Sequence, residues 1–153
     1  MAIDLIRPTE RAVTVSLKAN APLLAILPKT SIDPQPKTTG VDAQGAPIWP
    51  FVVVEAMQSL PQGRGCTAGA EVSLSIHSFA KPRYNAGGAM IETAKDHAAR
   101  IHSAVVEALH NHAYEVDGRR YGLSVRASRI MRDGAEADAW HGVATVVARA
   151  YQG

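Results

Sequence analysis

The chain has 153 residues, 46% of them apolar and 20% charged, with 16 basic against 14 acidic side chains and a formal net charge of +2. A domain of this size buries about 68–70% of its unfolded surface, which argues against disorder throughout and against any need for a metal or disulfide staple. The small charge excess, spread without a basic tract, does not imply a nucleic-acid partner, and Cys66, the only cysteine, can form no internal bridge.

The N-terminal MAIDLIRPTE lacks the basic start and apolar core of a signal peptide, and no apolar run approaches the ~18 residues of a membrane helix. A cytoplasm-like site of synthesis is therefore expected. Thr9 to Asn20 reads as a first helix, with Thr9 as N-cap and Val13, Leu17 and Asn20 at helical spacing. A short turn over Leu23–Leu27 ends at Pro28. Pro28 to Pro50 reads as a long connector, because Pro28, Pro34, Pro36, Pro47 and Pro50 with Gly40 and Gly45 favour turns and extended chain.

Phe51 to Glu55 is a β-branched run, expected as a strand buried on both faces. Met57 to Ala70, with Gly63, Gly65 and Gly69, reads as a second irregular segment. Glu71 to Phe79 alternates Val72, Leu74 and Ile76 with Ser73, Ser75 and His77, the pattern of a half-buried strand. From about Ala89 to His112 the spacing predicts a long helix, roughly 36 Å at ~1.5 Å per residue. Its apolar stripe is Ile91, Ala94, Ala98, Ile101, Val105 and Ala108, widened by Leu109. Asp117–Gly118 marks a tight turn between Tyr114–Val116 and Tyr121–Leu123. Leu123 to Met131 reads as a strand whose apolar phase shifts between Ala127 and Ile130. Asp133–Gly134 begins another turn, and Trp140 to Tyr151 is the closing strand. The expected fold is α+β: a mostly antiparallel sheet covered by the long helix (about 89–112) and the N-terminal helix.

Chemistry is sparse. The glycines around Cys66 have neither a Lys-Ser/Thr ending nor Rossmann spacing, and a strand follows where an anion site would need a helix N-terminus. Nothing adjacent in sequence lowers the Cys66 pKa, so a Cys66 nucleophile with His77 as base is a weak enzyme alternative. His97 and His102 point roughly 140° apart on a helix at about 100° per residue, which sets no metal site, and they read as exposed helix-face histidines. His110, His112 and His141 form no ligand motif, no Gly-x-Ser-x-Gly is present, and neither a cofactor nor catalytic residues are expected. Arg119 and Arg120 beside Tyr121 read as a solvated turn tip with the option of touching a phosphate backbone.

The segment Ala46–Pro47–Ile48–Trp49–Pro50–Phe51–Val52–Val53–Val54 resembles the start of the tail-terminator, or tail-completion, proteins of long-tailed phages and gene transfer agents, relatives of head-tail joining proteins. Glu71–Phe79 is similar to the second strand of that family, Ile101–His110 to the end of its long helix, Val116–Arg119 to the following turn, and Arg129–Gly134 with Trp140–Val143 to its closing hairpin. The resemblance covers roughly 46–151. It implies one tail-terminator-like domain over 1–153, from whose usual pattern the long loops read at 28–50 and 57–70 depart. It also implies a structural virion protein, not an enzyme, that caps the tail tube and joins it to the head connector. Such proteins assemble as homo-oligomeric rings, typically hexamers. The implied partners are the protein itself, the tail-tube protein and a connector or stopper protein, with DNA passing through the ring without sequence-specific binding and no membrane involved. The implied location is the tail-head junction of a virion or phage-like particle assembled in the host cytoplasm. A head-tail adaptor or stopper of the same connector is the alternative. The candidate interface residues are Arg64, Arg83, Tyr84, Arg119 and Arg120.

Overall fold

The computed structural model describes residues 4–34, 40–64 and 67–152, by backbone alone at 63, 64, 67, 68 and 152. Its frame is a five-stranded antiparallel sheet of order β1-β2-β7-β6-β5. The strands are β1 (Phe51–Arg64), β2 (Thr67–Ala80), β5 (Ala113–Val116), β6 (Arg119–Arg132) and β7 (Trp140–Gln152). Helices α1 (Ile6–Lys18), α2 (Ala21–Leu24) and α3 (Ala94–Leu109) precede or interrupt them. A two-stranded ribbon, β3 (Arg83–Tyr84) and β4 (Met90–Glu92), links β2 to α3. The expected α+β class is what is observed.

Strand periodicity decides which face is covered. On β2, Val72, Leu74, Ile76, Ser78 and Ala80 are fully buried, while Glu71, Ser73, His77 and Phe79 point the other way and stay partly open. The buried set meets Leu5, Val13 and Leu17 from α1 and its approach, Leu23 of α2, and Ala98, Ile101, Val105 and Leu109 of α3 in one apolar cluster. The stripe predicted for the long helix is buried from Ala94 to Leu109.

Several boundaries differ from the sequence reading. The long helix starts at Ala94, not Ala89, because Thr93 accepts the Asp96 N–H at 3.2 Å as N-cap and Met90–Glu92 is drawn into β4. Ile91 is thus 55% exposed and lies off the stripe. The helix stops at Leu109, since His110 is extended and Asn111 takes a φ of 58°. His97 and His102 are buried, not exposed. Their ~140° separation is spanned because α3 is covered on two sides: His97 Nδ1–H donates to the Lys81 carbonyl at 2.9 Å, and His102 Nε2 bonds Ser128 Oγ on β6. The first helix starts at Ile6, with Thr9 buried inside it and not capping it. Asn20 instead caps α2, its Oδ1 accepting the Leu23 N–H at 3.0 Å.

The largest correction concerns 57–70, read from its glycines as a long loop. Its described residues are the outer arms of a β1–β2 hairpin, in register from Phe51↔Phe79 to Arg64↔Thr67 with one irregularity between Ala56 and Gln58. Pairing decides this: β2 is held by β7 as far as Gly69↔Tyr151, and β1 follows it. As an edge strand β1 tolerates Pro61, whose missing N–H can face away from the ladder. Strand β1 is not buried on both faces, because the helices cover one side of the sheet only. Val52 and Val54 point into the core, and Glu55 is exposed. In the connector 28–50, a 3-10 turn at Lys29–Ser31 and single bridges Ile32↔Val52 and Val41↔Pro47 are the regular features among the described residues. Strand β6 is continuous, its irregularity falling between Val125 and Ala127, slightly before the expected phase shift. Asp117 and Gly118 take the positive φ values, 51° and 75°, that the tight β5–β6 turn needs.

Candidate interaction surfaces

The five candidate interface residues separate to opposite ends of the sheet. Arg64 pairs with Thr67 at the far end of the β1–β2 hairpin, and its side chain lies outside the described residues. The register Gly69↔Tyr151↔Arg120 puts Arg119 and Arg120 near that same end. Arg83 and Tyr84 follow Ala80 at the other end, about 45 Å away along a 14-residue strand at ~3.3 Å per residue. Cys66, the proposed partner of His77 in the enzyme alternative, lies outside the described residues.

The β3–β4 ribbon is held by charge and exposes apolar surface. Glu92 is its anchor: Arg100 donates to both carboxylate oxygens at 2.9 Å, and Arg83 adds a bond at 3.2 Å. The Arg100 guanidinium holds the Glu92 carboxyl at about 2, against an ordinary 4.5; partial burial opposes the shift and Arg83 adds to it. Asn85 closes the turn, its Oδ1 accepting from Gly87 and Ala89. Above this base Tyr84, Met90 and Ile91 are each more than half exposed. Three large apolar side chains in water on a pinned ribbon have the make-up of a docking element.

The sheet face turned away from the helices carries a second cluster, at the same end as the ribbon. Phe51 stacks on Phe79 at 4.8 Å, Phe79 stacks on His141 at 4.2 Å, and Trp49 meets Phe51 edge-on at 5.0 Å. His77 Nδ1 and His141 Nε2 are 2.7 Å apart, so one nitrogen must carry a proton and the other must accept it. Glu55 stands 3.5 Å from the other His77 nitrogen. Burial pushes the His141 pKa down; His77 and Arg129 add to this and Asp133 opposes it. Sequence reasoning missed this pair because the residues are 64 positions apart and only the β2–β7 register brings them together. The pair alone is too small a ligand set for a structural metal, and among the described residues no three His, Cys, Asp or Glu side chains converge on one point.

Arg119 and Arg120, adjacent in sequence, point to opposite faces. Arg119 lies on the helix side with Arg11, Asp117 and Tyr121, beside an Arg11–Asp117 ion pair of 3.0 Å, and its buried Nε has no hydrogen-bond partner among the described residues. Arg120 lies on the bare face, in a groove of about 580 Å³ shared with Arg126, Arg149, His112 and Tyr151. No described helix is long and apolar enough to cross a membrane.

Comparisons with known proteins identify a family and a shared fold. A family model described as tail completion protein gp17 matches residues 11–151. Among solved structures, a chain from the virion of a native gene transfer agent particle has the same fold. It superimposes with a TM-score of 0.67 at 20% identity, over 93% of each chain. A search of curated protein sequences gave no match.

Proposed function

We propose a role that starts from one premise: the chain belongs to the family of tail completion protein gp17. The protein is a structural component of a phage-type tail, in a phage or in a gene transfer agent. It caps the tail tube and joins it to the head connector as a closed ring of identical subunits, a hexamer. Its neighbours are other copies of itself, the tail-tube protein and a connector or stopper protein, with DNA passing through the ring.

The observation that carries the ring is the separation of two unlike surfaces. A ring closes through heterologous contacts, in which one patch of a subunit meets a different patch of the next. The ribbon with Arg83, Tyr84, Met90 and Ile91 lies at one end of the sheet. The hairpin end near Arg64, with Leu60 48% and Tyr151 46% exposed, lies at the other. Native mass spectrometry of the purified protein tests this. A single dominant assembly near six subunits is expected, and Tyr84→Ser with Ile91→Ser should dissociate it without changing the melting temperature of the subunit. A protein that stays monomeric at high concentration and also enters particles one copy at a time would refute the ring.

A further inference from the structure

The near-zero net charge hides a segregated one. Strand β6 carries five of the 16 basic residues, Arg119, Arg120, Arg126, Arg129 and Arg132, and no acidic residue at all. Alternation and the irregularity at Val125–Ala127 sort them. Arg119 turns to the helices, and Arg132 lies over the Trp140 ring at 5.7 Å. Arg120 and Arg126 rim the groove on the bare face, and Arg129, paired in register with Val143, continues that row toward His141.

The acidic side chains near this face form no ion pair with the row among the described residues, and Asp133 lies at its His141 end. Glu71 is engaged by Arg149 at 3.4 Å, Glu115 stands opposite Arg120 in register without an ion pair, and Glu55 lies on the far edge against His77. Arg120, Arg126 and Arg129 have no carboxylate partner among the described residues, and all three are exposed. The spacing is linear: about 20 Å from Arg120 to Arg126 and about 10 Å from Arg126 to Arg129 at ~3.3 Å per residue. Long guanidinium side chains in a row, on a face that no helix covers, match an anion that presents its charges in a row. Double-stranded DNA does so, with one phosphate per ~1.7 Å of axis, and guanidinium forks suit phosphate oxygens.

We propose that the bare sheet face along β6, through Arg120, Arg126 and Arg129, contacts the phosphate backbone of double-stranded DNA without reading its sequence. The proposal deepens the ring reading and rests on it for the presence of DNA at this surface, while the arginine row belongs to each subunit. Such contacts release counterions, so the logarithm of the binding constant falls with that of salt concentration by about 0.9 per phosphate engaged.

The test is fluorescence anisotropy with two 30-base-pair duplexes of unrelated sequence over a range of salt, beside sedimentation in the same buffers. Equal affinity for both duplexes is expected. Arg126→Gln with Arg129→Gln should lower the salt slope by about 2 for each subunit touching the duplex, with an unchanged melting temperature. Arg7→Gln, on the helix side, should leave the slope as it was. An unchanged slope in the double variant overturns the proposal, as does poly-glutamate binding as tightly as the duplex at equal charge, which would assign the row to an acidic protein. A closed ring without salt-dependent DNA binding overturns it and leaves the ring reading standing. A monomer that binds through Arg126 and Arg129 supports the surface and refutes the ring.

Discussion

Gly142→Ala should destabilise the protein through a contact between a strand and a helix 40 residues earlier in the chain. Gly142 lies in β7 beneath α3, and a Cβ built there would stand 2.9 Å from His102 Cβ, 3.0 Å from Cγ and 3.0 Å from Nδ1. Ordinary carbon contacts begin near 3.5 Å. About half an ångström must be found, and none of these atoms is the free end of a flexible chain. His102 is 5% exposed, and its Nε2 is tied to Ser128. Relief requires α3 to lift from the sheet or the imidazole to leave its bond. Overpacking of this kind costs about 1–3 kcal/mol. For a chain of this length that is a fall in melting temperature of roughly 2–12 °C. His102→Ala removes two of the three close contacts and leaves the third, so the double variant should be more stable than the sum of the singles predicts, by at least about 0.5 kcal/mol. Urea denaturation of the four proteins measures this. Strict additivity, or a Gly142→Ala protein as stable as its parent, would refute the close packing of α3 on β7.

Glu92→Gln should flatten the acid limb of the stability curve. The carboxyl is depressed from 4.5 to about 2, so its contribution is complete above the unfolded value and is lost as pH falls from about 4.5 to about 2. Because Arg100 and Arg83 are 41% and 48% exposed, the effect is about 1–2 kcal/mol after screening, read from denaturant midpoints against pH. Burial lowers His102 and His141, so the unfolded chain binds more protons than the folded one below about 6.5, and stability must fall as pH drops through that value. His141→Gln should remove part of that fall. Chemical-shift titration of the parent should show His141 taking up its proton below the ordinary histidine range, because burial disfavours the cation. Ile101→Asp places an unpaired charge at a site with no exposed surface and should leave no cooperative melting transition in circular dichroism.

The sequence by itself determined the elements whose signals are local. The alternation of Val72, Leu74 and Ile76 marks a one-sided strand in any context, the spacing from Ala94 to Leu109 marks one helix stripe, and Asp117–Gly118 marks a turn that needs positive φ. Ordered along the chain, these elements also carried the resemblance to tail-completion proteins. Only the tertiary structure decided what depends on pairing across distance. Met57, Leu60 and Pro61 look like loop in sequence and become strand because β2, already held by β7, offers them a ladder. Ile91 fits the helix stripe and leaves it because Glu92 is claimed by Arg83 and Arg100. His97 and His102 diverge too far on a helix to share one buried face, and both are buried because Lys81 arrives from the link after β2 and Ser128 from β6. His77 and His141 meet, and Arg119 parts from Arg120, through strand register and pleat. A net charge of +2 says nothing of charges sorted onto one face, since composition sums what the pleat of β6 separates.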